Sequence, residues 1–529
     1  MHRPVVMGTK GMVATAHPLA SLTGVNILKR GGNAIDAAIA TNAVLNVTQP
    51  HMCGIGGDLF YLIFNAKTGQ VSFLNGSGRA PLAANLEYFQ EKGITQIPVD
   101  SAYAVTVPGC VAAWQDAWER YGTLPFEELF EDAITYAEGH PISHKLAWYI
   151  SEFKELLGSY PETKAIFMPE GHLPQPGEIL HQHDLANTFR ILAKEGKKAF
   201  YNGSIAEAIT STVQEEGGLL TNEDMASHTS TWGDPLATTY HGYTIYQTAP
   251  NTQGLAALLA FNLLEGFNLK EMGVDKAKYI HHMVEAKKLA FIDRDRYISD
   301  PEFVDIPVDY LLSKEYAVRR RQLIDPEHAA KINAGNQVKG DTTYFSIVDR
   351  EGNIVSCIQS IYLPFGCGIV PKGTGILLQS RGAYFSLDPN HPNCIAPGKR
   401  TLHTLTASIV TKDEKPCLVF GTMGADGQPQ THLQVISRIL DFGWNIQEAI
   451  EAPRWVHGRS MADETSSLKM ENRFDPSVIK ELVQRGHDVS ILPAWSSDVG
   501  HAQGIAIDYK NGVLMGGADP RGDGYAIGW

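Results

Sequence analysis

From Lys339 to Ser360 the sequence reads KGDTTYFSIVDREGNIVSCIQS. Tyr344 to Val348 reads as a strand, Asp349 to Asn353 has turn chemistry, and Ile354 to Ser360 reads as a second strand. Two β-prone runs separated by a short Gly-containing turn specify a β-hairpin. The chain changes character here. From Val107 to about Asp325 it reads mainly as helix, whereas strands and glycine turns dominate from Thr342 to Val419. Helices return at THLQVISRILDFG and IQEAIEA before short terminal strands. An α-rich part joined to a β-rich part predicts an α+β protein. The stretch RQLIDPEHAAKINAGNQVKGD between them has the Pro, Asn and Gly content of an exposed linker.

Ahead of this seam, HPLASLTGVNILKR carries helical spacing and stops at Gly31-Gly32, and NAIDAAIATNAVLNV predicts an alanine-rich helix buried on most sides. GIGGDLFYLIFNAKTGQVSFLNGSGRAP then predicts a strand, a turn at Thr68-Gly69 and another strand. The 529 residues carry a formal charge of −14, and no basic run exceeds Arg319–Arg321. A nucleic-acid partner, which needs a concentrated positive face, is therefore not expected. The six cysteines form no CxxC pair, no segment has the length of a membrane span, and the N-terminus lacks a signal-like apolar core. A reducing, cytoplasmic setting is expected.

Several chemistries lack their motifs. There is no GxSxG, GxxxxGK[ST] or HExxH. GIGGDLF is glycine-rich without GxGxxG spacing and enters a strand, which argues against a dinucleotide site. His281, His282 and Glu285 share a predicted helix and could bind a metal, giving a metal-dependent hydrolase. Surface polar residues on an amphipathic helix account for them more simply.

Two adjacent hydroxyls at the seam have two readings. Threonine suits a strand start. It is also a nucleophile when its own α-amine takes the proton, which requires the chain to be cut just before it. That amine has a pKa of about 7.7–8.0 in peptides, within reach of neutrality at pH 7.

The motifs over nearly the whole chain resemble those of the γ-glutamyltransferases, N-terminal-nucleophile hydrolases that mature by self-cleavage. GMVATAHPLASLTGVNILKRGGNAIDAAIATNAVLNVTQPHMCGIGGDLF resembles the family's opening. VPGCVAAW with YGTLPFEEL, AFYNGSIAEAI, GGLLTNEDM, YISDPEFV, GDTTYFSIVDREGNIVS, FGCGIVPKGTGILLQSRGAYFS, APGKRTLHTLTASIV and GGADPRGDGY follow in the family's order. The resemblance implies a four-layer αββα sandwich. It also implies cleavage between Asp341 and Thr342, giving a large subunit 1–341 and a small subunit 342–529 that stay together as one catalytic unit.

By the same resemblance Thr342 is the nucleophile, with Thr343 as its strand neighbour. Ser360 stands where the family keeps a second hydroxyl, usually threonine. The backbone amides of Gly424 and Ala425 stand for an oxyanion hole that the family builds on Ser-Pro-Gly-Gly. The substrate positions depart further. Ser77 replaces the arginine of a DFRE stretch that grips the α-carboxylate of a γ-glutamyl group, with Arg79 two residues on. Tyr362, Arg381 and Tyr384 occupy the places of the residues that hold the α-amino group. His403 and Thr404 replace a serine pair. An arginine at the acyl end attracts a carboxylate and repels an ammonium, and QSRGAYFS resembles the branch that includes cephalosporin acylases.

The leading expectation is a γ-glutamyltransferase-type amidase for glutathione and related γ-glutamyl amides. The alternatives are an acylase for glutaryl-like amides and an uncleaved, non-catalytic binder of a small acidic ligand. The expected partners are the small-molecule substrate and the two subunits of one chain, with a homo-oligomer open. No cofactor is called for. Arg381 is the first candidate to anchor a substrate carboxylate and Arg79 the second.

Overall fold

The structure, a computed structural model, describes residues 3–331, 341–458 and 467–529, and of Asp341 only the backbone. Two seven-stranded sheets, antiparallel throughout, form its centre. The first runs in the order Tyr525–Gly528, Met12–Thr15, Asp341–Val348, Ile354–Tyr362, Asp58–Asn65, Gln70–Gly76 and Thr231–Gly233. The second runs Val6–Gly8, Val513–Ala518, Ala502–Asp508, Lys415–Thr422, Ala407–Lys412, Tyr243–Gln247 and Leu236–Tyr240.

The predicted hairpin forms, and both its strands are longer than expected, so Thr342 and Thr343 lie inside the ladder. Alternation decides what each face of the sheets meets. Phe60, Leu62, Tyr344 and Ile358 of the first sheet share one apolar cluster with Ala407, Ile409, Val419 and Ile505 of the second. Phe345, Ile347, Val355 and Cys357 point the other way, into a cluster with the helices Pro18–Lys29, Ala34–Thr48 and Cys110–Tyr121. Val410, Leu418 and Phe420 point outward from the second sheet, against the helices Gly254–Leu264, Ala277–Tyr297 and Gln428–Leu440.

The helix Ala34–Thr48 is buried along its whole length, as its alanine content predicts, and an Asn33–Asp36 capping box starts it. Two expectations need correction. The stretch from Val107 to Asp325 is not only helical: Thr231–Gly233 is an edge strand of the first sheet, Leu236–Tyr240 is an edge strand of the second, and Tyr243–Gln247 lies next to it. Their short, polar alternating runs give a weak period against the helices on either side.

The second correction concerns His281, His282 and Glu285. They do lie on one helix, Ala277–Tyr297, but all three are buried rather than on its surface. Of the predicted linker, Asp325 to His328 is exposed, while residues 332–340 lie outside the described residues. No helix among the described residues is long and apolar enough to cross a membrane.

Candidate active site

The strand pairing explains how two neighbouring threonines acquire different surroundings. Asp341 pairs with Tyr362 and Thr343 with Gln359, so Thr342 faces both Ser360 and Ile361 across a β-bulge. Thr342 shares the parity of Tyr344, whose ring lies between the sheets, and so belongs to the face that meets the second sheet. Thr343 has the opposite parity, and its hydroxyl donates to Gln49 Oε1 at 3.2 Å on the helix side. Both threonines are buried.

Ser360 is paired with Asp58 on the next strand. Thr342, Ser360 and Asp58 therefore form a row across three strands, all facing the second sheet. Opposite them, the short helical turn Arg381–Tyr384 brings in a guanidinium. Arg381 donates from Nη2 to Ser360 Oγ at 3.2 Å and from Nη1 to Thr404 Oγ1 at 3.4 Å. It lies 4.5 Å from the ring centroid of Tyr362, and Tyr384 meets that ring edge-on at 5.8 Å. Ser360 Oγ also accepts from the Tyr362 amide at 2.8 Å. Tyr362 has φ of 81°, an unusual conformation for a tyrosine.

Arg381 is fully buried, yet among the described residues no carboxylate lies within ion-pair distance of it and its Nε has no hydrogen-bond partner. Burial lowers its pKa to about 10, opposed by Tyr362 and by Asp58. It remains charged at neutral pH, and an anion beside it would relieve the cost of burying that charge.

Asp58 is the functional residue that sequence reasoning missed. It lies inside GIGGDLF, where nothing in the spacing marks it. Its Oδ1 accepts from the Gly78 amide at 2.9 Å, from Gln379 Nε2 at 3.1 Å and from the Gly109 amide at 3.3 Å. Its Oδ2 lies 2.9 Å from His403 Nε2. Burial alone would raise its pKa, but the hydrogen bond from His403 and the amide donors hold it below the usual carboxylate range. Burial, with Arg381 nearby, lowers His403 to about 4. The imidazole is therefore neutral at pH 7, with its Nε2 proton on Asp58.

Gly424 and Ala425 follow the strand Lys415–Thr422, with φ of 123° and 46°. Their successive amides precede the helix Gln428–Leu440 and donate to no backbone carbonyl among the described residues. Such a turn at a helix N-terminus suits an oxyanion. Gln253 Nε2 holds it by donating to Ala425 O at 2.9 Å and Thr404 O at 2.7 Å, and Gln253 Oε1 accepts from Arg294, which also pairs with Asp426.

The remaining candidates separate. Ser77 is buried and donates to Asn75 Oδ1 at 2.6 Å, in a network with Asn251. Arg79 is a correction: it is partly exposed, pairs with Glu302 at 2.7 Å and lies 3.7 Å from Asp300, so its charge is already neutralised away from Ser360. The metal candidates also change. His281, Glu285 and His487 bring ligand atoms within 4.8 Å of one another, whereas His282 turns to Lys278 O. Both His281 nitrogens are engaged, by His487 and Asp325 O, and Glu285 pairs with Lys288.

A row of hydroxyls beside a buried guanidinium, tied to the Gly424–Ala425 turn through Thr404 and Gln253, is the geometry against which known families are compared. The model of the gamma-glutamyltranspeptidase family matches residues 20–529. The chain belongs to the gamma-glutamyltranspeptidase family. Members of this family are hydrolase and transferase enzymes, and so is this protein. Among its relatives, the glutathione hydrolase-like YwrD proenzyme of Bacillus subtilis is 43% identical over 528 residues, covering 99% of each chain. The oxamate amidohydrolase proenzyme of Klebsiella pneumoniae is 38% identical, also over 99% of each. The crystal structure of a cephalosporin acylase from Bacillus halodurans superposes with a TM-score of 0.94 at 39% identity, covering 100% of this chain and 97% of that one. As in those relatives, antiparallel sheets and helices build a mixed α/β fold.

Proposed function

We infer that this member of the gamma-glutamyltranspeptidase family is a self-cleaving amidase with Thr342 as its nucleophile, and that its acyl donors carry a carboxylate. Maturation begins when Thr342 Oγ attacks the carbonyl carbon of Asp341. The peptide C–N bond breaks, which frees the Thr342 amine and leaves an ester between Asp341 and Thr342 Oγ. Water then hydrolyses that ester to the Asp341 carboxylate and the free Thr342 hydroxyl. Residues 1–341 and 342–529 stay together because each sheet contains strands of both parts. Support comes from the proenzyme relatives and from the parity that turns Thr342, rather than Thr343, toward the second sheet. The apolar clusters on both faces of each sheet fit a four-layer αββα sandwich.

In turnover Thr342 Oγ adds to the amide carbonyl while its α-amine accepts the hydroxyl proton. The Gly424 and Ala425 amides stabilise the oxyanion. The C–N bond then breaks, the leaving amine takes the proton, and water or a second amine receives the acyl group. Ser360 orients this end of the strand and links it to Arg381.

One observation carries the substrate reading: Arg381 is buried beside Ser360 with no carboxylate among the described residues paired to it. Amides of dicarboxylic acids, including glutaryl-like ones, suit it best. γ-Glutamyl amides such as glutathione are the second reading, favoured by the glutathione hydrolase-like relative. Six cysteines without a disulfide suit a cytoplasmic enzyme. The test is a profile of glutaryl, γ-glutamyl and aliphatic anilides on cleaved enzyme. Faster turnover of glutaryl than of aliphatic anilide supports the reading, whereas equal rates reject it. An uncleaved, inactive chain would instead be a ligand binder.

A further inference from the structure

His403 raises a question that the reaction leaves unanswered. Its Nε2–H donates to Asp58 Oδ2, so its Nδ1 carries a lone pair, and that atom is buried with no hydrogen-bond partner among the described residues. An unsatisfied buried acceptor is costly, so a native fold that keeps one calls for an explanation. The ring is fixed on several sides. Phe60 meets it edge-on at 4.8 Å, its backbone amide donates to Asn251 O at 2.8 Å, and its carbonyl accepts from the Gln253 amide at 2.9 Å. The next residue, Thr404, receives Arg381 Nη1.

Further unpartnered atoms belong to the same group of side chains. Arg381 Nε and Tyr362 Oη are buried without partners among the described residues, and both are donors. The complement of this set is a ligand with an anionic acceptor for Arg381 and Tyr362 and a donor for His403. The donor should be uncharged, because an ammonium so near the Arg381 guanidinium would be repelled.

We propose that His403, oriented by Asp58, is a specificity-determining residue: its Nδ1 accepts a hydrogen bond from a hydroxyl or amide N–H on the acyl group. The preferred donors are then amides of dicarboxylic acids that bear such a group, as in a 2-hydroxy dicarboxylic acid. This rests on the carboxylate reading given above and refines its substrate class.

Asp58 provides a sharp test, because Asp58→Asn keeps the shape and reverses the tautomer. The carboxamide oxygen of this variant would still accept from Gly78, Gly109 and Gln379. Its nitrogen would donate to His403 Nε2, which moves the ring proton to Nδ1 and converts an acceptor into a donor.

The experiment compares malyl and succinyl anilides, which differ by one hydroxyl, on cleaved wild-type and Asp58→Asn enzyme. One added hydrogen bond predicts a malyl preference of about five- to tenfold in kcat/KM for the wild type, lost in Asp58→Asn. In parallel, L-malate and succinate are titrated into 15N-histidine-labelled wild-type enzyme. Malate should shift the His403 Nδ1 resonance, assigned by its loss in His403→Gln, and succinate should not. A malyl preference that survives in Asp58→Asn overturns the proposal, as does an Nδ1 resonance that malate leaves unmoved. Equal turnover of succinyl and butyryl anilides would instead count against the Arg381 reading, and the resonance shift tests His403 separately from turnover.

Discussion

Thr342 and Thr343 differ by one step of the pleat, and that step sends their side chains into different layers. Thr342→Ala removes the only proposed nucleophile, so the chain should remain uncut on denaturing electrophoresis. Thr343→Ala should still yield fragments 1–341 and 342–529, with N-terminal sequencing of the smaller beginning at Thr342. Its cost should be about 1 kcal/mol in urea unfolding, from the lost bond to Gln49. Cleavage of Thr342→Ala at the normal rate would show that another residue attacks. At Arg381 the expectation concerns substrates. A hydrogen bond to a charged group is worth about 1.5–3 kcal/mol, so Arg381→Ala should lower kcat/KM for an acidic anilide about ten- to a hundredfold. Losses of equal size on acidic and neutral anilides would mean that Arg381 serves the fold instead.

At the scale of elements, the distance between the sheets is set by contacts such as Tyr344 against Gly421. A Cβ at position 421 would lie 2.3 Å from the Tyr344 ring, and that ring is held by its hydroxyl's 2.7 Å hydrogen bond with Ser356. Gly421→Ala should destabilise the protein by about 1–3 kcal/mol, as overpacking does. Thr342 and the Gly424–Ala425 turn sit on opposite sheets, so this variant should also cleave more slowly in a time course of the purified precursor. Normal stability with normal cleavage would mean that the sheets slide past the added methyl freely. The hairpin around Tyr344 was legible because two β-prone runs flank a short turn that contains Gly352. The three strands between Thr231 and Gln247 were not, because their short, largely polar runs give only a weak period.

At the scale of the whole molecule, a buried charge network joins distant parts of the chain after residue 450. Asp519 accepts from Arg454, from the Ala502 amide at 2.9 Å and from Arg521 Nη1 at 3.1 Å, and Arg521 also reaches Glu471 at 2.6 Å. Burial would raise the Asp519 pKa, but Arg454 and Arg521 overcome it and hold it at about 2. A carboxylate with a depressed folded pKa stabilises the fold above its unfolded pKa, and that contribution is lost as pH falls toward 2. The loss should be about 2 kcal/mol between about pH 4 and pH 2. Asp519→Asn should flatten the fall of the urea midpoint across that window. An unchanged slope would assign acid sensitivity to other carboxylates.

The sequence by itself determined the class of element at each long periodic stretch, the family, and the position of the paired threonines at a strand entry. These are local properties, written in period, turn residues and motif order. It did not determine which threonine faces the second sheet, because that depends on pairing with Gln359 and Tyr362 far along the chain. It ranked Arg381 ahead of Arg79 without showing what partners either one has. Both are arginines near pocket motifs, and only the fold brings Glu302 to one and leaves the other buried beside Ser360 with no carboxylate partner among the described residues. Asp58 and His403 are 345 residues apart, and their pairing exists only where two sheets meet. Burial and charge neutralisation are properties of the assembled core, and for that reason tertiary structure alone decided them.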